Sequence, residues 1–455
     1  MIYDFTVENF RSFGAAQTLS LIKGKERNKP ENLIEGPPGF PKAVCTAAIF
    51  GPNASGKSNL IRAAQTMRDI VKVSAIGLNA GDTLPGIAPH RLDRQWADRP
   101  TRFEITFSIG ARGFRYGFSA TPQAITAETL VEEFSTGRSR TLFERRERTH
   151  GDAAIVEFGD QFDSVAKNNV PKLTRDNALI LSSGANLNVP LLREIYTRIA
   201  NGITLVALVS SGSTPSLLEE RLRDDPVFRN QLLDVLRDAD IGITNLRVDA
   251  PPEPSAEELE RIRLLLVSQH GDRAREMAAM FAKQGKQRAI LSEHVRVDGS
   301  PVEFGWAEES QGTQLFAQLF FLLSRALHDG STVMADEFAT QIHPLLAKKL
   351  LELFQNPDNN PRGAQLIFTT HYSQLMTPEL FRKDQIWITD KTPQGQTELF
   401  SLADFRGEKY TRSSEMFEKN YLEGRYRGIG NFGPTLSGVP IGVAAAEEGK
   451  SGATK

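Results

Sequence analysis

Ala43-Val44-Cys45-Thr46-Ala47-Ala48-Ile49-Phe50 followed by Gly51-Pro52-Asn53-Ala54-Ser55-Gly56-Lys57-Ser58 is the stretch from which the rest of the chain can be read. The first eight residues form an apolar run of the length of a strand buried on both faces. The second eight match G-x-x-x-x-G-K-[ST] at every fixed position. Downstream, Leu60, Ile61, Ala63, Ala64, Met67, Ile70 and Val71 recur at helical spacing, which predicts a helix over Asn59–Val73. Strand, glycine-bearing loop and helix in that order build an anion nest. Glycines let backbone N–H groups turn inward, and the helix N-terminus adds partial positive charge. Lys57 is placed to reach β- and γ-phosphate oxygens, and the Ser58 hydroxyl to ligate Mg²⁺. Gly51, Pro52, Asn53, Ala54, Ser55, Gly56, Lys57 and Ser58 are therefore the expected nucleotide-binding residues.

Two other apolar strands end in polar residues. Thr332-Val333-Met334-Ala335 runs into Asp336-Glu337, and Leu366-Ile367-Phe368-Thr369-Thr370 into His371. In an open α/β sheet the ligand lies beyond the carboxyl ends of the strands. Asp336 is then expected to hold Mg²⁺, and Glu337 to polarise the attacking water. His371, at the end of a neighbouring strand, could hydrogen-bond the γ-phosphate or that water. Glu337 and His371 are the expected catalytic pair.

The chain has 455 residues, 40% of them hydrophobic and 24% charged, which is ordinary for a globular protein and enough for several lobes. With 54 basic and 56 acidic side chains the net charge is -2, so no global field draws the molecule to nucleic acid. A nucleic-acid contact is possible only through a local patch. The single cysteine, Cys45, excludes internal disulfides and cysteine-rich zinc sites, and its apolar neighbours mark it as a small core residue. No signal peptide and no transmembrane run is visible, which predicts a cytoplasmic protein with no membrane partner.

Short strands are expected at Ile2–Asn9 and Gln17–Ile22, then a β-rich region of Arg102–Ile109, Gly113–Ala120 and Ala124–Glu133, with a possible hairpin at Arg140–Arg148 and Ala153–Phe158. From Val189 the pattern turns mainly helical, with Leu191–Ala200, Pro215–Arg223, Val227–Asp238 and Ala256–Val267 broken by Pro251-Pro252-Glu253-Pro254. Strands and helices then alternate, including a helix over Gly312–Leu327, which implies parallel pairing with crossovers. The division expected is 1–160, 187–287, 288–433 and a loose tail 434–455.

Taken together, these residues resemble the ABC-type P-loop ATPase heads of the RecF, SMC and overcoming-lysogenization-defect families. Within that group the sequence is similar to AAA-family ATPases of bacterial phage defence, including abortive-infection, RloA-like and PARIS-type systems. The resemblance implies an α/β fold, an ABC-type P-loop NTPase head with a β-rich N-terminal lobe and a helical insertion at 187–287. Phe5-Thr6-Val7-Glu8-Asn9-Phe10-Arg11-Ser12-Phe13 looks like the family's first strand and turn, with Arg11 and Ser12 at the nucleotide. Gly51–Ser58 is its Walker A motif, Asp336-Glu337 its Walker B and His371 its switch histidine. Glu308-Glu309-Ser310-Gln311-Gly312-Thr313-Gln314 is similar to its signature loop. In that family, Ser310, Gly312, Thr313 and Gln314 would meet the γ-phosphate held by a second subunit. ATP and Mg²⁺ are the implied cofactors, and a homodimer or an assembly of dimers the implied state. Asn420-Tyr421-Leu422-Glu423-Gly424-Arg425-Tyr426 resembles a closing motif. Pro89-His90-Arg91-Leu92-Asp93 and nearby Gln95 occupy the Q-loop region without a clear match, and no D-loop aspartate follows Glu337.

The insertion shows no sustained heptads, so a compact lobe is expected rather than a long arm. Arg138, Arg140, Arg145, Arg146 and Arg148 cluster, but Glu144 and Glu147 interrupt them, which favours a solvated strand face. The 84 residues after His371 carry no Toprim-like metal constellation, so any effector is expected to be a separate polypeptide. Three functions are compatible with this reading: an ATPase that controls such an effector in phage defence, a RecF-like DNA-repair clamp, or an ATP-binding scaffold with negligible turnover.

Overall fold

A computed structural model describes residues 1–146, 155–206, 216–238, 242–249, 289–338, 340–405 and 416–429. The expected helix Ala256–Val267, the prolines at 251, 252 and 254, Glu147, Arg148 and the tail 434–455 lie outside these residues.

Two large sheets organise the described chain. In the first, strands run in the order Ile203–Val206, Thr332–Ala335, Gln365–Thr369, Thr46–Phe50, Ile386–Lys391 and Thr397–Ser401. All neighbours are parallel except the last pair. Every residue of Thr46–Phe50, Thr332–Ala335 and Gln365–Thr369 is buried. That is why these strands read as continuous apolar runs: both faces of a parallel sheet are covered. Period-two alternation sends Ala47 and Ile49 into one core and Ala48 and Phe50 into another. The first core holds the helix Lys57–Val73 between this sheet and the second one. The other core holds the helices Gln311–Asp329 and Pro344–Gln355.

The second sheet is antiparallel and seven-stranded, in the order Val156–Phe158, Ser139–Arg145, Ile125–Glu133, Arg112–Ala120, Thr101–Ile109, Ile2–Glu8 and Gln17–Ser20. It contains the expected hairpin, and its inward face is aromatic: Phe103, Phe107, Phe114, Tyr116 and Phe118 are all buried. The arginine cluster is only in part the solvated face expected: Arg140 and Arg146 are exposed and salt-paired, whereas alternation along the strand turns Arg145 inward. Arg140 pairs with Glu132, Arg146 with Glu144 and Glu157, and buried Arg145 donates to the Ala178 carbonyl at 2.8 Å.

The structure differs from expectation at two places that bear on the site. The run Ala43–Phe50 is split: Ala43–Val44 pairs with Leu33–Ile34, and Cys45 turns the chain into Thr46–Phe50. Cys45 is buried, and desolvation pushes its thiol up to about 12, in keeping with a core residue. The stretch from 187 also contains strands. Ile203–Val206 forms the edge of the parallel sheet, and Asn245–Asp249 joins Ala289–Val295 and Pro301–Gly305 in a separate three-stranded sheet. A run as short as Ile203-Thr204-Leu205-Val206 has too few residues for periodicity to separate strand from helix; pairing with Thr332–Ala335 decides it. Among the described residues no helix is long and apolar enough to cross a membrane.

Candidate nucleotide site

Three adjacent parallel strands bring the site together. Thr46–Phe50 leads into Gly51–Ser58, its neighbour Gln365–Thr369 into Thr370 and His371, and the next strand Thr332–Ala335 into Asp336 and Glu337. All three polar ends therefore emerge at the same, carboxyl edge of the sheet, where an α/β fold presents its ligand site.

The loop has the backbone of a phosphate cradle. Gly51 and Gly56 take φ of 149° and 114°, and Ala54 sits at 61°. A β-carbon at Gly51 would strike Thr389, and one at Gly56 would strike Thr397 and come within 2.9 Å of the Ser12 hydroxyl. Both positions thus need glycine for shape as well as conformation. The helix begins at Lys57, two residues earlier than the apolar stripe suggested, so the N-terminal amides belong to the loop itself.

Hydroxyl groups from remote segments brace the loop. Ser55 and Thr389 share a hydrogen bond through their side-chain oxygens. The Thr397 Oγ1 is 2.7 Å from the Ser55 carbonyl and 2.8 Å from the Ser12 Oγ. Asn59 Nδ2 donates to the same Ser12 oxygen at 2.8 Å. Ser12 thus lies against the loop. Arg11 is exposed at φ 52°, with its N–H bound to Ala88 and its carbonyl facing the Nδ1 of buried His90 at 2.8 Å. The loop around His90 therefore sets the Arg11 turn. Thr389 and Thr397 had no motif to announce them; only the pairing of Ile386–Lys391 with Thr46–Phe50 and Thr397–Ser401 brings them here.

Lys57 is 6% exposed, and its Nζ donates to the Gly51 and Pro52 carbonyls at 2.8 and 2.9 Å. Burial pulls its pKa down to about 8, against the opposing pull of Asp336 and Glu337. His371 is held below its usual value by partial burial and by the Lys57 charge, again opposed by Glu337 and Asp336. Lys57, Asp336, Glu337 and His371 are thus close enough to sense one another electrostatically. At neutral pH the Lys57 amine is mostly cationic and the His371 imidazole mostly neutral.

Thr369 organises the acidic pair. Its hydroxyl accepts the Glu337 N–H at 2.7 Å and donates to Asp336 Oδ1 at 2.7 Å. Glu337 is thereby kept at φ 53°, a left-handed conformation that costs a residue with a side chain roughly 1–2 kcal/mol. The Thr340 hydroxyl bonds the Glu337 carbonyl, and the Tyr372 hydroxyl donates to the Thr340 carbonyl at 2.6 Å. Ser58 and Asp336 offer hard oxygen donors of the kind Mg²⁺ uses when phosphate oxygens and water complete its octahedron, so the donor set fits that ion.

The residues expected to form a signature loop make a capped helix start. The Ser310 side chain accepts from the Thr313 N–H at 3.1 Å and shares a 2.7 Å hydrogen bond with the Thr313 hydroxyl. Gln314 Nε2 donates to the Glu309 carbonyl at 2.8 Å, and a β-carbon at Gly312 would press on the Gln341 carbonyl at 3.1 Å. Among the described residues no hydrogen bond joins Ser310, Gly312, Thr313 or Gln314 to the Gly51–Ser58 loop of the same chain. The closing motif packs behind the site. Tyr421 lies 6.4 Å from the Phe50 ring, Asn420 donates to the hydroxyl of buried Tyr426, and Tyr421 donates to the Gly428 carbonyl.

Comparison with curated proteins finds no significant match. Among solved structures, the chain overlaps loosely with the SMC head domain from Thermotoga maritima at 13% identity and TM-score 0.33, covering 88% of this chain and 98% of that one. It overlaps similarly with the Smc head of Pyrococcus furiosus bound to the C-terminal domain of ScpA (12%, TM-score 0.34, 88% and 96% covered). A third overlap is with the recombination mediator RecF bound to ATPγS (12%, TM-score 0.28, 88% and 98% covered). At the level of sequence, residues 47–377 match the family described as "AAA domain, putative AbiEii toxin, Type IV TA system". That span runs from the strand of the phosphate loop past Asp336, Glu337 and His371, well over half of the 455 residues, and the chain belongs to this AAA-domain family.

Proposed function

We propose that this chain binds ATP with Mg²⁺ and hydrolyses it between two copies of itself, and that the closing and opening of the pair controls a separately encoded effector in defence against phage. The observation that carries hydrolysis is the Thr369 knot, which holds Glu337 in a strained backbone turn beside Asp336, Lys57 and His371. Strain of this kind is kept where function needs a side chain at one place.

Each residue then has a task. Lys57 exchanges its own loop carbonyls for phosphate oxygens. Ser58 and Asp336 would hold Mg²⁺, which supplies charge neutralisation at the phosphates when bound. Glu337 orients a water and accepts its proton as the oxygen attacks the γ-phosphorus and ADP departs. His371, neutral at pH 7, hydrogen-bonds the γ-phosphate. The signature residues Ser310, Gly312, Thr313 and Gln314 meet the nucleotide of the partner copy, so ATP favours the closed pair by its extra contacts there. The product of the cycle is a change of shape, read by an effector. The family description, which names a putative toxin and a Type IV TA system, is in keeping with a role in growth arrest.

The test is Glu337→Gln. This variant should bind ATP as the wild type does, lose turnover by about a hundredfold or more, and form an ATP-dependent dimer by mass photometry. A persistent monomer at saturating ATP would sink the two-copy reading, and normal turnover would mean another base. In cells, the wild-type gene with its neighbours should reduce phage plaquing, and Glu337→Gln should abolish that protection. ATPase activity stimulated by DNA with a steep salt dependence would instead favour a DNA clamp.

A further inference from the structure

Glu309, the residue before Ser310, is held at both ends by different parts of the molecule. Its carbonyl accepts from Gln314 in the first turn of the helix Gln311–Asp329. Its carboxylate, with a side chain only 8% exposed, accepts from His294 Nε2 at 2.7 Å and from the Ser292 hydroxyl. Because a carboxylate only accepts, His294 is assigned the tautomer protonated at Nε2. Ser292 and His294 lie two apart on the strand Ala289–Val295 and so share one face of the three-stranded sheet. The His294 ring stands edge-on to Phe304 of the next strand, with centroids 5.1 Å apart.

A buried carboxylate is an expensive way to anchor a loop. An apolar side chain at this position would carry no such desolvation cost, and a well-packed apolar replacement for a buried polar pair is often neutral or better. What the carboxylate adds is direction. Its hydrogen bonds to Ser292 and His294 fix where Glu309 sits relative to the sheet, and the covalent bond to Ser310 passes that position to the helix cap. The sheet involved is built from the strands on either side of residues 250–288, so it is the part of the described chain joined directly to that segment.

We propose that Glu309, held by His294 and Ser292, is a positioning residue for the signature loop, fixing Ser310 for the γ-phosphate of the partner copy and tying the three-stranded sheet to ATP hydrolysis. This inference rests on the two-copy reading of the site.

The experiment uses the full chain. Wild type comes first: ATP-dependent dimerisation and turnover must both be present, and their absence refutes the two-copy reading itself. Given both, Glu309→Leu, which removes the oxygen that accepts from both His294 and Ser292, should leave the affinity for a non-hydrolysable ATP analogue and KM within about threefold and lower kcat by about tenfold or more. Glu309→Gln keeps an accepting oxygen there and should retain most of the activity. His294→Ala should follow Glu309→Leu, and His294→Gln, which still donates, should recover most of the loss. Mixing Glu309→Leu with Lys57→Ala protomers should restore activity that neither has alone, because one composite site then has an intact loop from each copy. A double Lys57→Ala, Glu309→Leu protomer mixed with wild type should show no more activity than wild-type homodimers alone provide. Wild-type kcat in Glu309→Leu overturns the proposal. So does a loss that the mixture with Lys57→Ala fails to restore, since that marks damage within the same copy. Should Glu309→Leu not fold, Ser292→Ala carries the same measurements.

Discussion

Replacing Thr369 by valine keeps the shape and the β-branching and deletes one hydroxyl. That hydroxyl is buried, accepts the Glu337 N–H and donates to Asp336 Oδ1. Losing a hydrogen bond to a charged group costs about 1.5–3 kcal/mol, and leaving a buried N–H without a partner costs about 1–3 kcal/mol. The Glu337 turn at φ 53° also loses its tether and can relax toward the ordinary helical region, moving the carboxylate away from the γ-phosphate position. If about 2–3 kcal/mol of this falls on the transition state, kcat drops by roughly 30- to 150-fold. ATP affinity should change little, because Lys57 and the loop amides are untouched. The assay is steady-state phosphate release beside calorimetric ATP binding, with melting to check the fold, and Thr369→Ser should recover most of the activity. A Thr369→Val enzyme whose kcat stays within about threefold of wild type would refute the reasoning that the strained turn serves catalysis.

Two other outcomes test the loop. Lys57 has a pKa of about 8 in the folded chain against 10.5 when free, so its charge opposes folding fully below pH 8, and this cost fades as pH rises to 10.5. Lys57→Met should therefore raise Tm at pH 7, with the gain shrinking toward pH 10, while abolishing ATP binding by calorimetry; a lowered Tm at pH 7 would contradict the assigned burial. Gly56→Ala, which puts a β-carbon against Thr397 and Ser12 at φ 114°, should destabilise the fold by about 1–3 kcal/mol in denaturant melts and weaken ATP binding as well. Unchanged stability there would mean the loop is looser than its hydroxyl contacts indicate.

The parts of the site legible in the sequence are those whose chemistry is local. Gly51–Ser58 carries its whole motif in eight consecutive residues. Asp336-Glu337 and His371 are legible because apolar runs precede them and a parallel sheet exposes the residues just past its strand ends. Alternating strands and helices predict parallel pairing but no strand order; the sequence Thr332–Ala335, Gln365–Thr369, Thr46–Phe50 across the sheet comes from the fold. Thr369 is a residue whose role is not legible. Threonine is common in strands, and nothing in Phe368-Thr369-Thr370 says that one hydroxyl turns to the neighbouring strand's end while the other receives the Tyr372 N–H. Ile203–Val206 escapes a linear reading for a related reason: a four-residue strand owes its form to the partner that pairs with it, not to its own period.

The bracing of the phosphate loop shows why such residues carry no local signal and what that implies for binding. Ser12, Ser55, Thr389 and Thr397 are each at most 8% exposed, and they join the loop to the turn at Ser12 and to strands that lie more than three hundred residues away. A Gly-rich loop on its own would lose much conformational entropy on wrapping a phosphate. Here the parallel sheet, its antiparallel last strand and the turn after Ile2–Glu8 have already fixed it, so the ordering is done during folding rather than on binding. A loop ordered in this way gains little from further closure within its own copy. If two copies share the site as proposed, the free energy of the γ-phosphate contacts would act across their interface, where the helix start at Gln311 is capped in advance by Ser310. Under the proposed two-copy mechanism, preorganisation within each chain is what makes the nucleotide's effect intermolecular.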